Sequence, residues 1–313
     1  MAVLEDVSSP PAAGLRPRGV GRRDRWQLRL PLLPALIFTI VVTQVPFLVT
    51  LWYSFHSYFY NLPGGARWNG VANYKEVFTD PNFRSALWRS VTMTAIAVIV
   101  AMIIGILLAV LLDKKFLGRG IVRTLIITPF LVMPAAAALV WAGPMLDPNF
   151  GLLNWLLEPF GVNHVAWLTT HAYGSVIVVM VWQWTPFMTL IVLAGLQSQA
   201  QDTLEAAKVD GASAWATFRE LTLPHLRPYI ELGVLLGSIY LVTAFDQVKL
   251  MTNGGPGTTT TTLPFYLYQK VTYAFDIGGA AAAGVVTVIL TLIVASFALR
   301  MFARVFQFEE AGV

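Results

Sequence analysis

The chain has 313 residues, 56% hydrophobic and 12% charged, with a mean hydropathy of +0.65 and a formal charge of +4. A soluble domain carries about 25% charged residues, so half that value marks lipid as the main solvent. Cysteine is absent, which excludes a disulfide framework, a thiol nucleophile and a thiolate metal site.

Residues 1–29 are rich in Pro, Gly and Arg, with Arg16, Arg18, Arg22, Arg23, Arg25 and Arg29. They lack the apolar residues needed to offset ordering entropy, so a disordered basic tail is expected. A signal peptide is the competing reading for a basic stretch ahead of an apolar one. The apolar run from Pro31 to Phe55 exceeds the roughly 7–15 residues of a signal core, and no small-x-small cleavage site follows it. It reads as an uncleaved first span.

A transmembrane helix takes roughly 20 mostly apolar residues. Six stretches meet this, at 31–55, 90–112, 122–145, 173–197, 229–250 and 281–303. Pro129, Pro134 and Pro144 in the third, and Pro186 in the fourth, predict kinks. Membrane helices tolerate these where neighbours satisfy the freed carbonyls. The expected fold is an all-α integral membrane protein with six transmembrane helices over 30–305 and a short C-terminal tail, 306–313.

Charge placement orients the spans. Six Arg precede the first span, and Lys114, Lys115, Arg119 and Arg123 lie between the second and third. Lys208, Arg219 and Arg227 lie between the fourth and fifth, and Arg300 and Arg304 close the last, so 15 of 21 Lys and Arg share one side. By the positive-inside rule both termini and the loop at 199–228 are cytoplasmic. The basic residues border apolar segments and form no continuous patch, which argues against nucleic-acid binding. Outside lies a small element at 56–89 with an Asp80-Pro81-Asn82 turn. A loop at 146–172 free of Lys and Arg follows, and its apolar piece Leu152–Leu157 suits the interface. Trp52, Tyr53, Trp141, Trp155 and Trp167, near span ends, read as belt anchors.

The loop at 199–228 is long for a connection between membrane helices and is patterned like a docking element. Residues 199–209 read as a short amphipathic helix, Asp210-Gly211 as a break, and 213–222 as a second helix stopped by Pro224. Ala206, Ala207, Gly211 and Ala212 let another backbone approach closely, while Glu205 and Asp210 offer charge. The same residues could form an ordinary interfacial helix pair. The string Glu205-Ala206-Ala207-x-x-Asp210-Gly211-Ala212, with Phe218, Leu221, Leu223-Pro224 and Pro228, resembles the EAA loop of ABC importer permeases. Leu193-Ala194-Gly195-Leu196 before it, and Thr252-Asn253-Gly254-Gly255-Pro256-Gly257 after span five, are similar to carbohydrate-type permeases of the maltose-permease kind.

That resemblance covers roughly 30–305 and implies the ABC type I importer permease fold. It implies that Glu205, Ala206, Ala207, Asp210, Gly211 and Ala212 couple to an ATPase. The implied partners are a second permease subunit, two ATP-binding subunits and an extracytoplasmic solute-binding protein, in a bacterial-type inner membrane. ATP and Mg would be used by the partner ATPase. The extra N-terminal spans and the large external domain of the maltose prototype are absent here.

No G-x-x-x-x-G-K-[ST] occurs, so this chain cannot cradle nucleotide phosphates through a P-loop. His56, His164, His171 and His225 lack metal-ligand spacing. No enzyme and no cofactor is expected, and energy comes from a partner or from an ion gradient. A gradient-driven carrier buries ionisable relay residues, and Asp246 is the one clear candidate. It reads either as a hydrogen bond steadying the Gly254–Pro256 turn or as an acceptor for a sugar hydroxyl. Gln183 in span four, and Tyr240, Thr243 and Gln247 at i, i+3 and i+7 in span five, form a polar group with Asp246 along a substrate path. Interhelical hydrogen bonding or packing on the second permease is the competing role. Met251–Gln269, with five consecutive Thr, resembles polyol (sorbitol or mannitol) permeases. A disaccharide importer, for trehalose or maltose, would share the fold and the motif.

Overall fold

The computed structural model describes residues 32–162 and 164–310, so the basic tail at 1–29 and residues 311–313 lie outside it. The chain divides into two compact units, Met1–Val49 and Thr50–Val313. The described part of the first is helical and belongs to α1 (Leu33–Ser54). Leu36, Ile37, Phe38, Ile40 and Val41 are all exposed, and a helix apolar on every side belongs in hydrocarbon.

The second unit opens with β1 (His56–Ser57) and β2 (Arg67–Trp68), antiparallel, His56 opposite Trp68. The expected all-α fold is therefore corrected to a mostly helical one. The ribbon forms because Gly64 (φ +116°) and Gly65 (φ +64°) reverse the chain between the strands. After α2 (Ala72–Thr79) comes α3 (Pro81–Asp113). Asp80-Pro81-Asn82 is the start of this helix and not a free-standing turn. Asp80 Oδ1 accepts from the Asn82 N–H at 2.8 Å, and Pro81 fills the first helical position. The second span is thereby part of a 33-residue helix.

Helix α3 lies along α8 (Ala172–Ser198), and α11 (Leu223–Val242) packs on both. On α3 the residues Met93, Ala97, Ala101, Gly105 and Ala109 recur every fourth position and are buried. Ile96, Ile99, Ile103, Leu107 and Leu111 are exposed. That is inverted for water and correct for lipid, where small residues let backbones close and large ones meet acyl chains. Met188 on α8 fills the crossing. A Cβ on Gly105 would come within 2.7 Å of Met188 Cβ, and one on Gly237 would overlap Met188 Cε. Gly105→Leu is expected to cost about 1–3 kcal/mol by overpacking, read as a lower thermal midpoint of the solubilised chain. An unchanged midpoint would mean that the crossing yields freely.

The third span is broken outright. Helices α4 (Arg119–Leu131) and α5 (Pro134–Val140), the latter extended by a π-turn at Trp141–Met145, meet at 99°. Pro134 bars Met133 from the helical region, and Val132 and Met133 are accordingly extended (ψ 131° and 134°). Helices α6 (Leu152–Leu157) and α7 (Trp167–Thr170) follow. By contrast α8 continues through Pro186, with Thr185 Oγ1 donating to the Val181 carbonyl at 2.7 Å.

Helices α9 (Gln201–Val209) and α10 (Ala214–Thr217) form the loop at 199–228. Pro224 does not stop the second loop helix as expected. A π-turn at Phe218–Thr222, closed by the Leu223 N–H on the Phe218 carbonyl, makes room for the proline ring and leads directly into α11. Span five is shorter than expected, because α11 ends at Val242 and an irregular stretch precedes a π-turn at Val248–Thr252. Helices α12 (Leu263–Thr272) and α13 (Ile277–Glu310) complete the chain, so 306–310 is helix. Among the described residues, α1, α3, α8 and α13 are long and apolar enough to cross a membrane, and the bent α4–α5 pair makes five. Helix α11, which opens with Pro224, His225, Arg227, Pro228 and Glu231, is not among them.

Lys270 on α12 lies 2.8 Å from Glu76 and 3.6 Å from Asp276, and the Tyr266 hydroxyl donates to Asp80 at 2.6 Å. Burial would depress the Lys270 ammonium, but hydrogen bonding to Glu76 and the fields of Glu76, Asp276 and Asp80 outweigh it and hold its pKa above the ordinary lysine value. These contacts tie α12 to α2 and to the cap of α3.

Candidate functional site

The loop at 199–228 is built from two complementary caps. Helix α9 ends in a Schellman motif, with the Gly211 N–H on the Lys208 carbonyl at 3.2 Å and the Ala212 N–H on the Ala207 carbonyl at 2.9 Å. Gly211 at φ +78° supplies the left-handed residue this motif needs. Two residues on, Ser213 caps α10 by accepting from the Ala216 N–H at 3.2 Å. A rigid helix–turn–helix results, with Glu205, Ala206, Asp210, Gly211 and Ala212 exposed. Ala207 is 8% exposed and packs inward, so it is not available to a partner backbone. Val209 and Trp215, 87% and 70% exposed, extend the outward face with apolar area. Trp215 was legible as an aromatic in a polar loop, but its exposure was not.

Behind the loop, Ser198 Oγ at the end of α8 lies 3.0 Å from His225 Nε2 and 2.8 Å from the Tyr229 hydroxyl, and its own proton goes to the Gly195 carbonyl at 2.8 Å. This ties the helix entering the loop to the helix leaving it. No sequence pattern marked these three residues.

The second group lies around the break in span three. The Gln183 Nε2 amide donates to the Val132 carbonyl, freed by that break, at 2.9 Å. Gln247 Nε2 donates to Gln183 Oε1 at 2.8 Å. Both glutamines are buried, at 3% and 2% exposure, and Gln247 Oε1 has no partner among the described residues. Tyr240 and Thr243 are exposed. The expected shared face of Tyr240, Thr243 and Gln247 is therefore not formed. The helix stops at Val242, Thr243 Oγ1 turns back to the Tyr240 carbonyl at 2.9 Å, and Gln247 starts a separate turn. Tyr240 instead meets Trp184 at 5.4 Å between ring centroids, within an aromatic cluster that includes Phe130 and Phe187. Phe130 and Phe187 escape a search for polar residues.

The Asp246 carboxylate makes no hydrogen bond or ion pair among the described residues, so it does not steady the Gly254–Pro256 turn. The threonines do that. Thr260 Oγ1 donates to the Gly255 carbonyl and Thr261 Oγ1 to the Gly254 carbonyl, each at 3.1 Å. Thr260, Thr261 and Thr262 are buried.

Residues 101–307 match the family described as binding-protein-dependent transport system inner membrane component. The chain belongs to this family. As a permease it is the inner-membrane component of such a system and not the ATPase. It is 38% identical over 288 residues, covering 90% of this chain and 93% of the relative, to a probable ABC transporter permease, y4oQ of Sinorhizobium fredii. It is 33% identical to the trehalose/maltose transport system permease MalF of Thermococcus litoralis, covering 84% and 89%. Its fold is that of a chain in the crystal structure of a bacterial ABC transporter involved in the import of the acidic polysaccharide alginate, with TM-score 0.76, 24% identity and coverage of 90% and 96%. The permease thus carries its exposed helix–turn–helix on a frame held by Gly–Met crossings and a glutamine-bridged break.

Proposed function

We propose that this permease conducts a neutral carbohydrate, a disaccharide of the trehalose or maltose class, from a binding protein into the cytoplasm. The likeness to the trehalose/maltose permease, over 84% of this chain, carries this reading. The exposed Tyr240 ring, set against the half-buried Trp184, and the Thr243 hydroxyl support it, since sugars are held by aromatic faces on their C–H surfaces and by hydroxyl-bonding groups. A sugar alcohol is the second reading, drawn from the five-threonine run. Its support is weakened because Thr260 and Thr261 already donate to loop carbonyls.

In this reading the chain crosses six times, with the α4–α5 pair as the third crossing and α11 with the Val248–Thr252 turn as the fifth. Both termini and the loop at 199–228 face the cytoplasm, as the 15-to-6 division of basic residues supports. Glu205, Ala206, Asp210, Gly211 and Ala212, with Trp215, meet an ATP-binding subunit. A second permease and a second ATPase complete the complex, and ATP-driven closure reopens the spans outward. Gln183, Tyr240, Thr243, Asp246 and Gln247 line or brace the path.

Uptake of labelled trehalose is measured in cells carrying or lacking this chain, with unlabelled maltose or sorbitol as competitor. Loss of uptake without the chain, and competition by maltose alone, is the expected result. Normal trehalose uptake without the chain removes the disaccharide assignment, and competition by sorbitol alone moves it to polyols.

A further inference from the structure

We propose that the cleft between α6 and the Pro148–Gly151 turn is a second carbohydrate-binding subsite, one that holds a single neutral pyranose ring. It rests on the carbohydrate reading above and adds a site outside the span residues. The cleft measures about 430 Å³, within the usual range of about 300–1,000 Å³ for small-ligand pockets. Trp155 and Phe150 line it and are 65% and 70% exposed, giving flat apolar faces left open among the described residues. Glu158 stands three residues after Trp155 and lines the same cleft, with its carboxylate unpaired among the described residues. An aromatic platform beside a carboxylate acceptor is the pairing that holds a pyranose by its C–H face and its hydroxyls together.

The cleft is preorganised, which lowers the cost of ordering on binding. Asn154, 7% exposed, donates to the Asp147 and Val165 carbonyls at 3.0 and 3.1 Å and accepts from the Val165 N–H and Trp167 Nε1 at 3.2 and 3.1 Å. All four bonding positions of that carboxamide are used. His164 is held at φ +52°, uncommon for a residue with a side chain, with Nδ1 3.1 Å from the Pro148 carbonyl. Its Nε2 stays free among the described residues to bond a hydroxyl. The segment 146–172 has no Lys or Arg but carries Asp147 and Glu158, so an anionic sugar would be repelled and a neutral one accepted. A belt tryptophan anchored in lipid would not need a carboxylate and an imidazole in its own cleft.

The test titrates trehalose, maltose and diacetylchitobiose into the full chain in phosphatidylcholine nanodiscs, by calorimetry. Wild type is expected to bind at least one of them saturably. Trp155→Ala should weaken that binding about tenfold or more, Trp155→Phe should keep most of it, and Tyr240→Ala should leave the external subsite filled. Trp155 is exposed, so these variants keep the fold. Binding unchanged in Trp155→Ala overturns the proposal, as does no binding by wild type in cells where trehalose uptake needs this chain. Unchanged binding together with fluorescence quenching by brominated lipid that Trp155→Phe abolishes would make Trp155 a membrane anchor and also overturn it. If uptake of every tested carbohydrate is independent of the chain, the carbohydrate reading itself fails, a result the nanodisc titration does not decide.

Discussion

Gly211→Pro is expected to uncouple the permease while leaving it in the membrane. Proline fixes φ near −65°, whereas this position is held at +78°. The substitution also removes the N–H that bonds the Lys208 carbonyl and closes the end of α9. The turn would open, and Glu205 and Asp210 would lose their fixed relation to Trp215. The spans do not depend on this turn, so insertion should be normal. Coupling energies between sites run about 1–3 kcal/mol, or roughly 5–150-fold. A fall of that order is expected in ATP hydrolysis stimulated by the solute-loaded binding protein in the reconstituted complex. Gly211→Ala, strained but without loss of the N–H, should fall between the two. Wild-type stimulation and assembly by Gly211→Pro would show that the turn does not transmit the motion.

Gln183→Leu is expected to be the most damaging conservative change in the spans. It strips the partner from the Val132 carbonyl and from Gln247 Nε2 at once. Hydrogen bonds between membrane helices average about 0.6 kcal/mol and reach about 1.7, because the unfolded segments in lipid also find partners. Two such bonds in a fully buried position give about 1–3 kcal/mol, read as a lower midpoint of thermal inactivation with a parallel loss of uptake. Gln247→Leu should cost less, since it deletes one bond together with the orphaned Oε1 acceptor. The double variant should cost less than the sum of the singles, because both delete the same Gln247–Gln183 bond. Strict additivity, or a larger loss from Gln247→Leu, would disprove the bridge.

Much of the frame was legible because lipid leaves a blunt signature. The apolar runs at 31–55, 90–112 and 173–197 correspond to α1 (Leu33–Ser54), α3 and α8, and Asp210-Gly211 became the expected break. Expectations failed where a local signal has two physical outcomes. Pro224 can end a helix or be absorbed by a π-turn, and Phe218–Thr222 took the second course. Pro134 can kink a span or break it, and the extended Val132 and Met133 broke it by 99°. Spacing of 3, 4 and 7 residues places Tyr240, Thr243 and Gln247 on one face only if the helix continues, and it ends at Val242.

The sequence alone determined the solvent, the positions of the apolar runs and the cytoplasmic-type charge bias, since these depend on composition within a window. It also determined the helix–turn–helix at Gln201–Thr217, because a Gly in the left-handed region and a Ser cap are local demands of the backbone. Tertiary structure decided which polar groups satisfy which. The Val132 carbonyl is met by Gln183, 51 residues away, and Gln183 by Gln247, 64 residues further. Thr259, Thr260 and Thr261 donate to carbonyls of their own loop, and Ala207 faces inward while Ala206 faces out. The glutamine and threonine pairings follow from the cost of leaving a buried donor or acceptor unpaired, which only the folded neighbours can resolve.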